Sequence, residues 1–235
     1  IKTDSQEYIV DSLICSADYH HIDKEILPAH LSNYSEKYWD KRVLSPSCLI
    51  FYVGVNKKIN KLDHHNLFFD EDIDVHTNEI YATKQWPKKP LFYACCPSKT
   101  DPSVAPKNKE NLFFLIPIAP GMEDTEAIRK TYFSKVIKRM ERYCGHEIEK
   151  YIEYNRSYCI NDFIKDYNSY KGNAYGLANT LFQTATFKPK ISDKQIKNLS
   201  YCGHFTVPGP GVPPGIISGK IVSNVLEQKY ERHLR

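Results

Sequence analysis

The sequence predicts an α+β fold in which helices pack on a mixed, largely antiparallel sheet. Four apolar runs of strand length occur at residues 48–55, 66–69, 91–96 and 112–118, and loops containing Asn, Asp, Pro and Lys separate them. An amphipathic segment with recognisable ends follows the last run. The runs supply the strands of the sheet, and the amphipathic segment supplies a helix that covers it.

The amphipathic segment begins where either Asp124 or Thr125 can cap a helix. Its apolar side chains recur every three or four residues, at Ile128, Tyr132, Val136, Met140 and Tyr143. Gly145 follows the last of them and is typical of a helix end. We therefore expect a long helix from about residue 125 to residue 144, with a solvated basic face opposite the apolar one.

Shorter elements flank this core. The pattern predicts a buried strand at residues 8–17, which must pair with a sheet, and a polar, aromatic helix at residues 28–42. A short helix is predicted near Asn161. Residues 198–203 form a short strand, and residues 216–229 form an amphipathic helix.

Composition excludes several classes of protein. The chain has 235 residues, of which 41% are hydrophobic and 26% charged, which fits neither a disordered segment nor a membrane bundle. A net charge of +4 without dense basic clusters does not predict nucleic-acid binding. The seven cysteines form no Cys-x-x-Cys pair, which indicates a reduced, cytoplasmic protein. Nothing in the sequence predicts its oligomeric state.

The aromatic content is high for such a chain. Its 17 Tyr, 11 Phe and 2 Trp make up 13% of the residues, whereas there are only 2 Met. This composition suggests a wide apolar interior or a cavity.

A loop rich in proline and glycine, residues 206–215, lies between the last strand and the last helix. Free N–H groups at a helix start suit a phosphate or the edge of a flavin. The spacing Gly-x-Gly-x-x-x-Gly from Gly209 to Gly215 is one residue too long for a dinucleotide fingerprint, and no apolar strand leads directly into it. The loop fits better as a second, C-terminal contact of a flavin.

These residues carry a resemblance to a known family. The stretches Gly172-Asn173-Ala174-Tyr175-Gly176-Leu177 and 198–214, with Ser218-Gly219, closely resemble the C-terminal part of bacterial-type phytoene desaturases, which belong to the amine-oxidase-like flavoprotein superfamily. The motif Thr-x-Pro-Gly-x-Gly-Val-Pro, at residues 206–213, is the most specific part of the match. Residues 49–55, 64–74 and 90–105 also look like this family.

The resemblance implies that the chain is the C-terminal half of a longer protein, because the family's Gly-x-Gly-x-x-Gly turn is not among its residues. Residues 1–20 would then end one segment of an α/β FAD-binding domain. Residues 21–195 would form the substrate domain, and residues 196–235 would return to the FAD domain.

The implied activity is an FAD-dependent oxidation of CH–CH bonds that introduces double bonds into a forty-carbon carotenoid precursor. The expected FAD-binding residues are Gly203, Thr206, Gly209, Gly211, Val212, Pro213 and Gly215. The expected lining of an apolar polyene tunnel is Phe51, Phe68, Phe92, Tyr93, Phe113 and Tyr175. A water-insoluble substrate further implies peripheral attachment to a membrane surface through an exposed apolar or basic patch.

Two other functions are compatible with the sequence. A carotenoid cis-trans isomerase or oxygenase shares the C-terminal motif, and a polyene-binding module without redox activity is a third possibility. No catalytic base is identified, because His204 lies in the motif but can equally be a packed side chain. We expect no metal site at His64 and His65, since adjacent residues of a strand point to opposite faces.

Overall fold

The computed structural model describes residues 1–233, and it confirms the α+β fold. The chain forms two compact units. The first, which we call the two-strand unit, contains Ile1–Ser45, Asp166–Tyr170 and the residues from Ala174 on. The second, the five-strand unit, contains Pro46–Lys165 and Lys171–Asn173.

The five-strand unit is built on an antiparallel sheet. Its strands are β2 (Ser47–Val55), β3 (His65–Phe68), β4 (Phe92–Cys95), β5 (Glu110–Ile118) and β6 (Ile152–Tyr158), numbered after the β1 of the other unit. Their order across the sheet is β3-β4-β5-β2-β6, and all four pairings are antiparallel. The largely antiparallel sheet predicted from the four apolar runs is therefore correct.

One face of this sheet forms the main core. Every second residue of β5, from Glu110 to Ile118, is buried, as expected where alternate side chains point to one face. The buried face packs with the apolar side of helix α4 (Glu126–Cys144), including Val136 and Met140.

Helix α4 has the ends that the sequence predicts. The Thr125 hydroxyl accepts a hydrogen bond from the Ile128 N–H at 3.3 Å, and Gly145 takes a left-handed conformation at the other end. Helix α3 (Ile73–Tyr81) precedes β4, and helix α5 (Ile160–Tyr167) follows β6.

The two-strand unit contains a small parallel sheet, in which β1 (Leu13–Cys15) pairs with β7 (Leu199–Tyr201). Its helices are α1 (Tyr19–His21), α2 (Glu36–Asp40) and α6 (Val212–His233), and a π turn at Ile22–Ile26 follows α1. Trp39, fully buried, lies at the centre of a second hydrophobic cluster. Its indole N–H donates to the buried carboxylate of Asp23 at 3.2 Å.

Several elements differ from the sequence prediction. The strand expected over residues 8–17 is only β1, and the helix expected over residues 28–42 is a 3-10 turn at Ala29–Leu31 followed by α2. The last helix begins at Val212 rather than Ile216, so Pro213 and Pro214 lie in its first turn. Strand β6 and helix α3 were not predicted.

The compact units divide the chain at residues 45/46, 165/166, 170/171 and 173/174. The boundaries expected from the family resemblance, at residues 20/21 and 195/196, concern the roles of the segments and stay a prediction.

The core of the five-strand unit predicts a measurable difference between two Phe→Ala substitutions. Phe114 is fully buried on β5, whereas the Phe69 side chain is 57% exposed. Phe114→Ala should lower the free energy of unfolding by about 3–5 kcal/mol because it opens a cavity, whereas Phe69→Ala should change it by about 0.5 kcal/mol or less. Urea unfolding followed by circular dichroism measures both, and equal losses would contradict this description of the core.

Candidate functional site

The glycine- and proline-rich loop joins strand β7 to helix α6 and is held by a buried hydrogen-bond network. Thr206 is fully buried, and its hydroxyl donates to the Gly203 carbonyl at 3.0 Å. The same hydroxyl lies 2.8 Å from the Ser218 hydroxyl on α6, which in turn accepts the Gly203 N–H at 3.0 Å. Gly203 and Thr206 therefore attach the loop to helix α6 through Ser218.

The tip of the loop excludes side chains. Gly209 has φ +136°, and a Cβ placed on it would lie 2.9 Å from the Asn179 Oδ1 and 3.3 Å from the Lys188 Nζ. Gly211 has φ +107°, again a conformation that favours glycine. The motif glycines are therefore needed both for the backbone path and for a close approach to neighbouring atoms.

The start of helix α6 has few free main-chain donors. Pro213 and Pro214 have no N–H, and the Gly215 N–H donates to the Gly211 carbonyl at 2.9 Å. Val212 is therefore the residue of the first turn that can offer an N–H to a ligand, and its side chain is 71% exposed.

Lys188 is a candidate site residue that the sequence does not indicate. Its side chain is only 3% exposed, and among residues 1–233 its Nζ has no hydrogen-bond acceptor. Burial lowers the pKa of this amine. A buried ammonium group is costly without a counter-charge, so Lys188 is a candidate contact for an electron-rich ligand beside Gly209. No spacing pattern marks this lysine, since it is one of many in the chain.

His204, the other polar residue of the motif, is held by the loop itself. Its Nδ1 accepts the Gly211 N–H at 3.4 Å, and its Cβ lies where a side chain on Gly176 would have to be. Burial lowers the pKa of His204, partly offset by the negative charge of Asp18. Its contacts are those of a residue that shapes the loop.

The expected polyene-lining residues lie in three different places. Phe51, Phe68 and Phe92 are buried in the core of the five-strand unit, with exposed fractions of 1%, 7% and 1%. Tyr175 belongs to the two-strand unit and is 39% exposed.

Tyr93 and Phe113 lie on the other face of the five-stranded sheet. Phe113 is the direct cross-strand partner of Tyr52, and its ring centroid lies 5.6 Å from that of Tyr52 and 6.2 Å from that of Tyr93. Burial, followed by the neighbouring Cys95 thiol, raises the pKa of Tyr93 to about 12, so this phenol is neutral at physiological pH. The three rings form a half-exposed surface that we call the aromatic face.

The expectation that His64 and His65 point to opposite faces of a strand is wrong. His64 precedes β3 and is not part of the strand, so the alternation of strand side chains does not separate the two rings. Their centroids are 4.2 Å apart. Cys95 is the cross-strand partner of His65.

No family model matches the chain. It is 40% identical over 216 residues to a carotenoid 3,4-desaturase of Haloarcula japonica. The aligned region covers 92% of this chain and 44% of that protein. It is 28% identical over 223 residues to a ζ-carotene-forming phytoene desaturase of Myxococcus xanthus, covering 92% of this chain and 42% of the relative. The chain thus spans less than half the length of these relatives.

A solved oxidoreductase structure from Methanosarcina mazei shares the fold, with a TM-score of 0.53 and 14% identity over 95% of this chain and 44% of that one. The chain is therefore homologous to the carotenoid and phytoene desaturases and corresponds to a C-terminal part of them, as its Thr-x-Pro-Gly-x-Gly-Val-Pro motif predicts.

Proposed function

We propose that the chain supplies the polyene-binding unit and the C-terminal cofactor contact of an FAD-dependent desaturase, which introduces double bonds into a forty-carbon carotenoid precursor. The similarity to a carotenoid 3,4-desaturase along nine tenths of the chain carries this proposal. In this assignment the five-strand unit binds the polyene, and the loop and α6 of the two-strand unit contact the flavin.

The residues of the loop suit a flavin. The buried Lys188 ammonium lacks an acceptor, and the space beside Gly209 admits no side chain. The first feature fits the electron-rich edge of a ring system. The second brings Asn179 and Lys188 against the loop, because these two side chains take the space that a Cβ on Gly209 would need. Gly211 and Val212 would face the ring, whereas Gly203, Thr206, Pro213 and Gly215 would hold the loop and the helix start in place.

The aromatic face suits a polyene. Tyr52, Tyr93 and Phe113 present half-exposed rings on one side of a rigid sheet, and Leu67, 65% exposed, extends the same surface. Burying such a surface against a hydrocarbon contributes about 25 cal/mol per Å². A polyene bound here would contact Tyr93 and Phe113 but not the core residues Phe51, Phe68 and Phe92.

A bound flavin supplies a hydride acceptor for oxidation of the saturated C–C bond. The hydrocarbon offers the protein no polar group to hold, so the contribution of this chain is positioning and the exclusion of water. The aromatic face orients the substrate, and Lys188 with the α6 N-terminus orients the cofactor. No residue is assigned as the base.

The activity is tested with the complete gene product, purified and reconstituted with FAD. Incubation with phytoene or a partly desaturated carotenoid in lipid vesicles should give products with longer conjugation, detected as a red shift in absorbance and a loss of two hydrogens per step in the mass spectrum. Product of unchanged mass would indicate an isomerase, and product that gains oxygen an oxygenase. Binding without conversion would indicate a carrier. Each of these three results contradicts the desaturase proposal.

The cofactor contact is tested at Lys188. Lys188→Met keeps an unbranched, apolar side chain that is one atom shorter and removes the charge. We expect the complete protein to bind FAD about tenfold or more weakly, since a hydrogen bond to a charged group contributes roughly 1.5–3 kcal/mol. Equilibrium dialysis measures the affinity.

Two further variants control this comparison. Lys190→Met alters an exposed lysine two residues away and should leave the affinity unchanged, and Lys188→Arg should retain most of it. Unchanged FAD affinity in Lys188→Met would remove this lysine from the cofactor site.

Peripheral membrane attachment is also part of the proposal. No helix among residues 1–233 is long and apolar enough to cross a bilayer. Leu181, Phe182 and Phe187 lie on two short 3-10 turns of the two-strand unit, with exposed fractions of 77%, 72% and 58%. Exposed leucine and phenylalanine side chains of this kind insert into the interface of a lipid surface. A protein attached there on the cytoplasmic side would reach a carotenoid that is dissolved in the membrane.

Replacing Leu181, Phe182 and Phe187 together by Ser should abolish most vesicle binding by the complete protein, measured as co-flotation with anionic liposomes at low salt. The control is the double change Ile73→Ser and Val75→Ser, which removes two half-exposed side chains from α3 of the five-strand unit. Equal flotation of the triple variant and the unaltered protein would show that this segment does not contact lipid.

A further inference from the structure

We propose that His64, His65 and Cys95 form a binding site for a borderline transition-metal ion such as Zn²⁺. The three residues lie at one end of the β3–β4 pair in the five-strand unit, within a single compact part of the chain. None of its ligands belongs to the loop or to α6, but the site borders the aromatic face, because Cys95 is the cross-strand partner of Phe113 and the His65 Nδ1 lies 2.5 Å from the Tyr93 hydroxyl.

The ligand atoms already lie close together. One potential ligand atom from each residue falls within 4.8 Å of those of the other two. The Cys95 Sγ lies 4.0 Å from the His65 Nδ1. In a tetrahedral Zn²⁺ site, bonds of about 2.1 Å to nitrogen and about 2.3 Å to sulfur separate the two ligands by about 3.6 Å. Small side-chain rotations would therefore bring the three atoms to coordinating positions.

Each histidine ring has a hydroxyl group beside its Nδ1. The His64 Nδ1 lies 2.6 Å from the Thr100 hydroxyl, and the His65 Nδ1 lies 2.5 Å from the Tyr93 hydroxyl. When the His64 Nδ1–H donates to the Thr100 oxygen, the Nε2 lone pair of that ring is left for an ion. The His65 Nδ1 faces the Cys95 thiol and would bind the ion in place of the Tyr93 hydroxyl. Histidine ligands in metalloproteins are oriented by such outer hydrogen bonds.

The donor set selects the class of ion. Two imidazoles and a thiolate favour Zn²⁺ and its neighbours over Mg²⁺ and Ca²⁺, which prefer oxygen ligands. His65 is exposed and His64 and Cys95 are half-buried, so an ion can enter from solvent. Binding would release the thiol proton of Cys95 to the solvent. Three protein ligands leave a fourth position for water.

The test uses the purified complete protein and Zn²⁺ alone, titrated in competition with a chromophoric chelator. We expect one ion per chain at this site. Cys95→Ser, His64→Gln and His65→Gln should each weaken binding by about tenfold or more. Cys144→Ser and His146→Gln are the matched controls, because they alter a half-buried cysteine and a half-buried histidine of the same unit. These controls should leave the affinity unchanged.

Two measurements separate a lost ligand from a lost fold. Co²⁺ should give a thiolate-to-metal charge-transfer band that disappears in Cys95→Ser, while thermal unfolding without metal stays the same in that variant. Thr100→Val removes only the outer partner of His64 and should weaken binding by about 10–100-fold. Absence of the charge-transfer band, or Zn²⁺ binding that survives Cys95→Ser, would overturn the proposal.

Discussion

The continuous pairing of β2 with β5 determines what each side of the five-stranded sheet can do. Nine consecutive residue pairs, from Ser47 opposite Ile118 to Val55 opposite Glu110, hold the two strands in one register. Because successive side chains alternate between faces, this register directs Phe114 to the core and Phe113 to the aromatic face. A slip of one residue would exchange the two sets, so one pairing maintains both the core and the surface proposed for a polyene.

Much of this architecture could be predicted from the sequence, because its long elements have strong local signals. The apolar runs of β2, β4 and β5 and the capped, periodic helix α4 occur where the pattern indicates them. Strand β6 lacks such a signal, since residues 153–156 are polar or exposed on the outer strand of the sheet. Helix α3 buries the polar His76, whose ring accepts the Leu91 N–H at 2.8 Å and donates to the Pro117 carbonyl at 3.1 Å. Leu91 directly precedes β4 and Pro117 lies on β5, so these partners are distant in sequence and local patterns do not reveal them.

The candidate site was predictable to a similar degree. The motif identified the loop, and the structure supplies physical reasons for its residues, such as the buried Thr206 hydroxyl and the close neighbours of Gly209. Sequence could not decide which aromatic residues face outward, because the answer depends on strand parity: Phe92 and Tyr93 are adjacent but point to opposite faces. The proximity of His64, His65 and Cys95 also depends on where β3 begins and on how it pairs with β4.

The buried amine of Lys188 makes both the stability of the empty fold and the affinity for a cofactor depend on pH, in opposite directions. Its pKa is lowered in the folded chain, so the unfolded chain binds more protons between that lowered value and the ordinary lysine value of about 10.4. Across this interval, the lysine makes the unliganded fold more stable as pH rises. An electron-rich cofactor beside Lys188 would raise the pKa of the lysine again, so that the amine takes up a proton when the cofactor binds. Cofactor affinity would therefore fall over the same interval in which the empty fold gains stability.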